Sequence, residues 1–409
     1  MRLARALVTL LVVGVQRACS ESFLVYVKTS YSTLAGSSAS TQTWNVGQSA
    51  QVFYFFGLLK KQMLREVLAR MPSRRQVVFL NVSDTRPELK DLAIWQFAYA
   101  QHCRAPEYAS IRYFLKLDDD TYTVLPRIAG LLNSDALRAH AKIPFVGGTP
   151  FWIRSHPALD GRSARYQWAG SPLVQGGKIS SQFIAESRTG REPLVYCQGG
   201  PGMLVSRPAL ELYHGFGEPC AKTIADVEAA SCLPYRGRAR EWLPADGEAG
   251  LGLGHGELGS WMHRIACLGT AQLPRKGPMR RRLKSGGDTW GPGRPYDDCF
   301  FGYCLERQHS PLLRCQAIAW TPDSSTHPRA GVSQWVFEVK WSKWLRRPDR
   351  NTTFPAHLVT AHGLKSLAAM QSVHATLHAA NSSDTDDDDG WLAHTHGRIV
   401  IIHPDHPGR

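Results

Sequence analysis

From Phe23 to Leu117 the sequence keeps changing its hydrophobic period, and that alternation restricts the fold more than any other feature. "FLVYV" (23–27) is a short apolar, β-rich run, and "AQVFYFFG" (50–57) is a second, closed by Gly57. "KKQMLREVLARM" (60–71) then has helical spacing, with Met63, Leu64, Val67, Leu68 and Met71 on one stripe. "RQVVFLNV" (75–82) returns to a strand pattern, and "ELKDLAIWQFAYAQHC" (88–103) to a helical one. "IRYFLKL" (111–117) is a fourth strand, and three carboxylates, Asp118, Asp119 and Asp120, follow it directly. Strands that alternate with helices predict a largely parallel sheet covered on both faces. Ligands of such sheets bind beyond the carboxyl ends of the strands, where the Asp run lies. Adjacent like charges repel, so this position calls for a positive partner.

Lys and Arg outnumber Asp and Glu by 48 to 34, a formal charge of +14 that favours anionic partners. The basic residues are dispersed; the one short run, Arg280, Arg281, Arg282 and Lys284, sits among Gly and Pro and reads as a solvated loop. No nucleic-acid partner is expected. At the N-terminus two Arg precede an apolar run, Ala6 to Val15, which is shorter than the roughly 20 residues of a membrane span. Residues 1–21 therefore read as a signal peptide or short signal anchor, and the chain as one of the secretory pathway. Eight of the nine cysteines, Cys103, Cys197, Cys220, Cys232, Cys267, Cys299, Cys304 and Cys315, lie beyond that segment, and an oxidising compartment predicts disulfides among them. No pair of C-x-x-C motifs supports zinc instead. Sequons at Asn81, Asn351 and Asn381 suit a lumenal chain. The remaining residues, 22–409, read as one catalytic domain with a Gly-, Pro- and Arg-rich insertion at about 216–295 and a C-terminal extension at about 316–409. The acidic stretch near 381–390 reads as a solvated charge run.

Three motifs could carry chemistry. Carboxylates at a strand end suit Mg²⁺ or Mn²⁺, which in turn holds a diphosphate; the simpler reading is an acidic turn with Asp120 capping a helix. "VYCQGGPGMLVSRPALELY" (195–213) has Gly199, Gly200 and Gly202 where a backbone can approach a bulky ligand, then a strand, then a helix from about Pro208. "YDDCFFGYCLERQ" (296–308) sets Asp297 and Asp298 before an apolar helix, where they serve as caps or as a general base. Strand-end carboxylates alone do not complete an octahedral shell. His327 and His362 are the candidate additional ligands, and His362 is preferred because an apolar, strand-like run leads into it.

The ordered set "VKTS", "TW", "FLKLDDDTY", "YCQGGPGMLVSR" and "DDCFFGYCLE" resembles the β-1,3-glycosyltransferases of the inverting galactosyltransferase and Fringe superfamily, over about residues 22 to 315. "FLKLDDDTY" looks most like core 1 galactosyltransferases and "DDCFFGYCLE" most like Fringe. The resemblance implies a GT-A-like, Rossmann-type nucleotide-sugar domain with a mainly parallel central sheet. It implies Asp118, Asp119, Asp120 and His362 at an Mn²⁺ (or Mg²⁺) ion, with Asp120 the most direct ligand. Donor contacts would come from Lys28, Thr29, Asp84, Lys90, Asp118 and Asp119, and acceptor contacts from Gly199, Gly200 and Asp297. Asp298, the second Asp of "DDC", would be the catalytic base. The implied activity is transfer of a hexose, galactose first, from a UDP-sugar to a glycan hydroxyl, giving a β-1,3 linkage. N-acetylglucosamine transfer of the Fringe kind is the nearest alternative, and an inactive secreted carbohydrate-binding protein of the same fold the next. A nuclease or phosphatase would need a second metal group of closely spaced His and Asp, which the sequence lacks. The implied location is the Golgi lumen, with the N-terminus either cleaved or anchoring the chain in the membrane.

Overall fold

The computed structural model describes residues 22–46, 51–71, 76–84, 87–153, 171–175, 178–188, 193–214, 301–302, 305, 313–322, 334–338, 357–381 and 397–402. The expected alternation is present: strands β1 (Phe23–Lys28), β2 (Val52–Leu58), β3 (Val77–Ser83) and β4 (Tyr113–Asp118) are followed by the short strands β5 (Thr121–Thr123) and β6 (Val146–Gly148). Helix Lys61–Arg70 joins β2 to β3, and helix Pro87–Phe97 joins β3 to β4. The second of these ends in a wider, π-helical turn, Ala98–Cys103, so the segment read as one helix has two geometries.

The central sheet has nine strands in the described residues. From one edge they run Gln334–Trp335, Gln316–Pro322, β6, Met203–Ser206, β4, β1, β2 and β3, with Gly397–Ile402 also paired to Gln316–Pro322. β1 pairs in parallel with β2 and β4, β2 with β3, and β6 with Gln316–Pro322. Met203–Ser206 runs antiparallel between β4 and β6. The sheet is thus mixed but mainly parallel. Its order reverses beside β1: the chain moves out through β2 and β3, then returns to lay β4 on the other side of β1. Crevices form where successive crossovers leave in opposite directions.

Both faces of the sheet are buried, and the alternation of side chains divides the core in two. Leu24, Tyr26, Phe53, Phe55 and Phe114 point to one side, where Trp95, Tyr213 and Phe301 pack. Phe23, Val25, Val27, Tyr54, Phe56, Leu115 and Leu117 point to the other, against Ile128, Leu131, Met370 and Val373. A strand with both faces buried has no polar side, which is why "FLVYV" reads as a continuous apolar run.

One element of the fold has no local signal, and one expectation changes. The stretch read as a C-terminal extension supplies three strands of the central sheet, Gln316–Pro322, Gln334–Trp335 and Gly397–Ile402. Nothing local marks a strand that pairs with a partner about 170 residues earlier (Ala317 with Gly148). Cys103 was grouped with the disulfide-forming cysteines, but it is a free thiol, and burial pushes its pKa up to about 11. Cys197 and Cys315 do form a disulfide, with Cα atoms 5.1 Å apart. Asn81 of the first sequon is exposed on the edge strand β3. No helix among the described residues is long and apolar enough to cross a membrane. Residues 1–21 and 216–295 lie outside them, as do Cys220, Cys232, Cys267, Cys299, Cys304, Asn351 and residues 382–390.

Candidate functional site

β1 and β4 end side by side, at the point where the sheet order reverses. Lys28 and Asp118 are register partners there, and their side chains form an ion pair, Nζ to Oδ1 3.2 Å. The positive partner demanded by the acidic run is therefore supplied, for one of its members, by the last residue of β1. Lys28 is shared: its ammonium also lies 3.3 Å from Oδ1 of Asp91, a residue of helix Pro87–Phe97 with no exposed surface. Asp91 in turn pairs at 2.7 Å with the fully buried Lys116 of β4. Removing one member of a buried pair of that kind costs about 3–5 kcal/mol, because the other charge is left without a partner. The Asp91–Lys116 pair thus anchors the row of charges that ends at Lys28.

The three consecutive carboxylates have three different surroundings. Asp119 is buried and turned toward helix Leu34–Thr41: Thr29 Oγ1 donates to its Oδ2 at 2.6 Å, and Ser37 Oγ at 3.5 Å. Burial raises its pKa to about 7, even though the Thr29 and Thr33 hydroxyls stabilise the charged form. Asp120 faces the other way, with His362 Nε2 3.0 Å from its Oδ1. Burial alone would raise Asp120, but His362 and Lys365 outweigh it and hold the carboxyl below its ordinary value. Along the run Lys28 pairs with Asp118, the Thr29 hydroxyl donates to Asp119, and the His362 ring faces Asp120.

His362 reaches this point from the far end of the sequence. It closes the short strand Thr360–His362, which pairs antiparallel with β5 so that His362 stands opposite Thr121. Leu364 N–H donates to the Asp120 carbonyl at 2.8 Å and fixes the turn beyond it. Asp118, Asp120 and His362 offer ligand atoms within 4.8 Å of one another, the one such His/Cys/Asp/Glu group among the described residues. Asp118 Oδ1 is buried without a hydrogen bond, and Lys28 is its ion-pair partner. Two hard carboxylate oxygens and an imidazole nitrogen fit a divalent cation such as Mn²⁺ or Mg²⁺. Asp119, expected at the cation, is not part of this group. Asp119 and Asp120 form the turn between β4 and β5, and in it Asp119 is directed to Thr29 and Ser37 on the helix side.

The residues expected to touch a donor gather around the same strand ends. Lys90 is buried, donates to the Thr29 carbonyl at 2.5 Å and pairs with Asp84 at 3.2 Å. Burial lowers the Lys90 pKa, partly offset by Asp84. Asp84 accepts from the backbone N–H of Tyr31 at 2.7 Å and of Gly57 at 2.8 Å. A Cβ at Gly57, in the irregular last residues of β2, would stand 2.5 Å from the Asp84 backbone, so glycine there lets the end of β2 approach Asp84. Lys90 and Asp84 thereby brace the loop after β1 that carries Thr29. Gly199 and Gly200 form a turn against the cation group: the Gly200 carbonyl accepts from Asp118 N–H at 3.3 Å and from Thr121 Oγ1 at 2.6 Å. Asp297, Asp298 and His327 lie outside the described residues.

Sequence reasoning missed Asp91, Lys116 and Ser37. A single Asp on a helix face, a lone Lys inside an apolar strand and a Ser in a small-residue helix carry no motif. The one available signal was "FLKL", where a charge interrupts a run whose neighbours are all buried.

No protein-family model matches the chain, and no curated protein does either. Among solved structures, core-mannan synthase A of Aspergillus fumigatus in its Mn/GDP form matches at 8% identity and a TM-score of 0.26, over 47% of this chain and 61% of that one. The mannosyltransferase Ktr4p of S. cerevisiae in complex with GDP matches at 13% identity and a TM-score of 0.27, over 48% and 59%. The match spans about three fifths of each of those chains. Likenesses at these scores carry no weight for fold or function, and the architecture rests on the chain's own strand order and site.

Proposed function

We propose that the chain is a metal-dependent, inverting glycosyltransferase of GT-A type, acting in the lumen of the secretory pathway, in the Golgi. Its donor is a UDP-sugar, galactose first, and its acceptor a glycan hydroxyl that becomes β-1,3-linked. The observation that carries this reading is the meeting of Asp118, Asp120 and His362 beside Lys28 at the reversal of the strand order. A strand-end crevice with hard ligands and an ammonium suits a nucleoside diphosphate. The galactose, the UDP and the linkage rest on the motif resemblance.

Asp118, Asp120 and His362 would hold the cation, which when bound neutralises charge on the leaving diphosphate. Lys28 adds a second positive charge on the same side. It is held in place by Asp91 from behind, so little ordering remains when an anion arrives. Asp119 keeps the loop after β1 against helix Leu34–Thr41 through Thr29 and Ser37. Inversion requires a base that takes the acceptor proton as its oxygen attacks opposite the diphosphate, and Asp298 is proposed for it.

A screen of UDP- and GDP-sugars with Mn²⁺, read by release of the nucleoside diphosphate, tests the activity. UDP-galactose should give turnover that EDTA abolishes and that Asp120→Ala lacks while unfolding like the wild type. Asp298→Asn should lower turnover about 10²-fold or more at nearly unchanged donor affinity, and Asp297→Asn should cost little. Turnover that survives saturating EDTA would overturn the metal role, and full activity in both Asn variants would overturn the mechanism.

A further inference from the structure

We propose that Gly200 is a positioning residue of the metal centre: the space left by its missing side chain is what His362 occupies when it faces Asp120. The proposal rests on the reading of Asp118, Asp120 and His362 as a cation site. A Cβ built on Gly200 would lie 2.6 Å from His362 Nε2, 2.7 Å from Cε1 and 3.1 Å from Cδ2. Real Cβ contacts do not come that close, so any side chain at 200 displaces the imidazole. It would press on Nε2, the atom 3.0 Å from Asp120 Oδ1.

Backbone conformation gives no competing reason for glycine at this position. The glycines with positive φ among the described residues are Gly202 and Gly363; Gly200 is not one of them. Alanine can adopt the Gly200 backbone, and what it cannot share is the room taken by the ring.

The loop is also held so that it cannot yield. The Gly200 carbonyl accepts from Asp118 N–H and from Thr121 Oγ1, and the Pro201 carbonyl accepts from Thr360 Oγ1. Those three donors flank the cation group: Asp118 belongs to it, Thr121 stands opposite His362 in the register, and Thr360 begins the strand that His362 ends. The glycine turn is therefore tied to both arms of the site, and a larger residue at 200 moves the ring rather than the loop. Gly200 shapes the metal centre, a role separate from the acceptor contact that the motif resemblance implies.

The test is a double-variant cycle on the full chain, with Mn²⁺ alone as ligand, followed by electron paramagnetic resonance and by thermal unfolding. Gly200→Ala should weaken Mn²⁺ binding about tenfold, the scale seen when a residue that orients a ligand is lost. His362→Ala should weaken it at least as much. In the His362→Ala background Gly200→Ala should do nothing more, and it should shift Tm by less than about 1 °C, because the imidazole it would press on is gone. Should Gly200→Ala alone fail to fold, a folded Gly200→Ala/His362→Ala protein supports the same clash. Wild-type Mn²⁺ affinity in Gly200→Ala, or equal losses in both backgrounds, overturns the proposal and leaves the cation site standing. A wild-type chain that binds neither Mn²⁺ nor Mg²⁺ overturns the cation site and the proposal with it.

Discussion

Lys28 stands between two carboxylates, 3.3 Å from Asp91 and 3.2 Å from Asp118. Asp118 is also one of the three groups offered to a cation. An ammonium at that oxygen competes with the metal before the diphosphate arrives and assists the diphosphate afterwards. Lys28→Met should therefore strengthen Mn²⁺ binding in the absence of nucleotide by about fivefold, the ~1 kcal/mol expected for removing one nearby like charge in a partly solvated site. In the same variant UDP binding at saturating Mn²⁺ should weaken about tenfold. Isothermal titration of both ligands measures the two signs separately; a fall in both affinities would mean that Lys28 only holds Asp118 in place. The acidic run itself was legible as a site because three adjacent carboxylates at a strand end repel one another and call for a positive partner. Their division into three roles was not legible, since it depends on Thr29, Ser37 and His362, which are distant in sequence.

The π-helical turn Ala98–Cys103 carries a buried histidine that makes the fold sensitive to acid. It buries His102 against Phe53, Phe97 and Tyr108, with Nδ1 2.6 Å from the Tyr26 hydroxyl. Burial lowers the His102 pKa to about 4. An unfolded chain takes up this proton below its ordinary value of about 6.5, whereas the folded chain resists until about pH 4. The unfolded state then binds more protons, so stability falls as pH drops through that window and is complete above it. The loss reaches about 3 kcal/mol at its acid end. His102→Gln keeps an acceptor for Tyr26 without a titrating group. Urea midpoints measured from pH 7 to pH 4 should fall less steeply for it than for the wild type. His357, lowered by burial to about 4 as well, and Asp119, raised to about 7, add slopes of opposite sign that are common to both proteins. From sequence the turn read as a plain continuation of the helix, because "AYAQHC" has helical composition and the extra residue per turn comes from packing rather than propensity. By contrast, β1, β2 and β4 were legible to within two residues, since burial on both faces writes a nearly continuous apolar run.

At the scale of the whole molecule, the parallel half of the sheet was readable and the mixed half was not. β1 to β4 join through local crossovers, whereas Gln316–Pro322 and Gly397–Ile402 pair with partners that no local pattern names. The Cys197–Cys315 disulfide ties a separate three-stranded sheet, which contains Leu194–Cys197, to the mixed half. It joins strand Leu194–Cys197 to the residue just before strand Gln316–Pro322, across a sequence separation of 118. Closing a loop of that length restricts the unfolded chain by roughly 4–5 kcal/mol in the chain-entropy account. Topologically, the bond turns residues 197 to 315 into a covalent ring, with the rest of the chain attached at a single junction. A ring opened at one bond is still one molecule. A single cut at a protease site placed within 216–295 should leave one band on a non-reducing gel and two after reduction. Loss of the intact band without reductant would show that the bridge does not form. The main chain through that ring is then one of two routes joining the strands at its ends, and the sulfur route is the shorter by more than a hundred residues. Evolution could lengthen, shorten or rewrite the longer route while the shorter one kept the two sheets tied together.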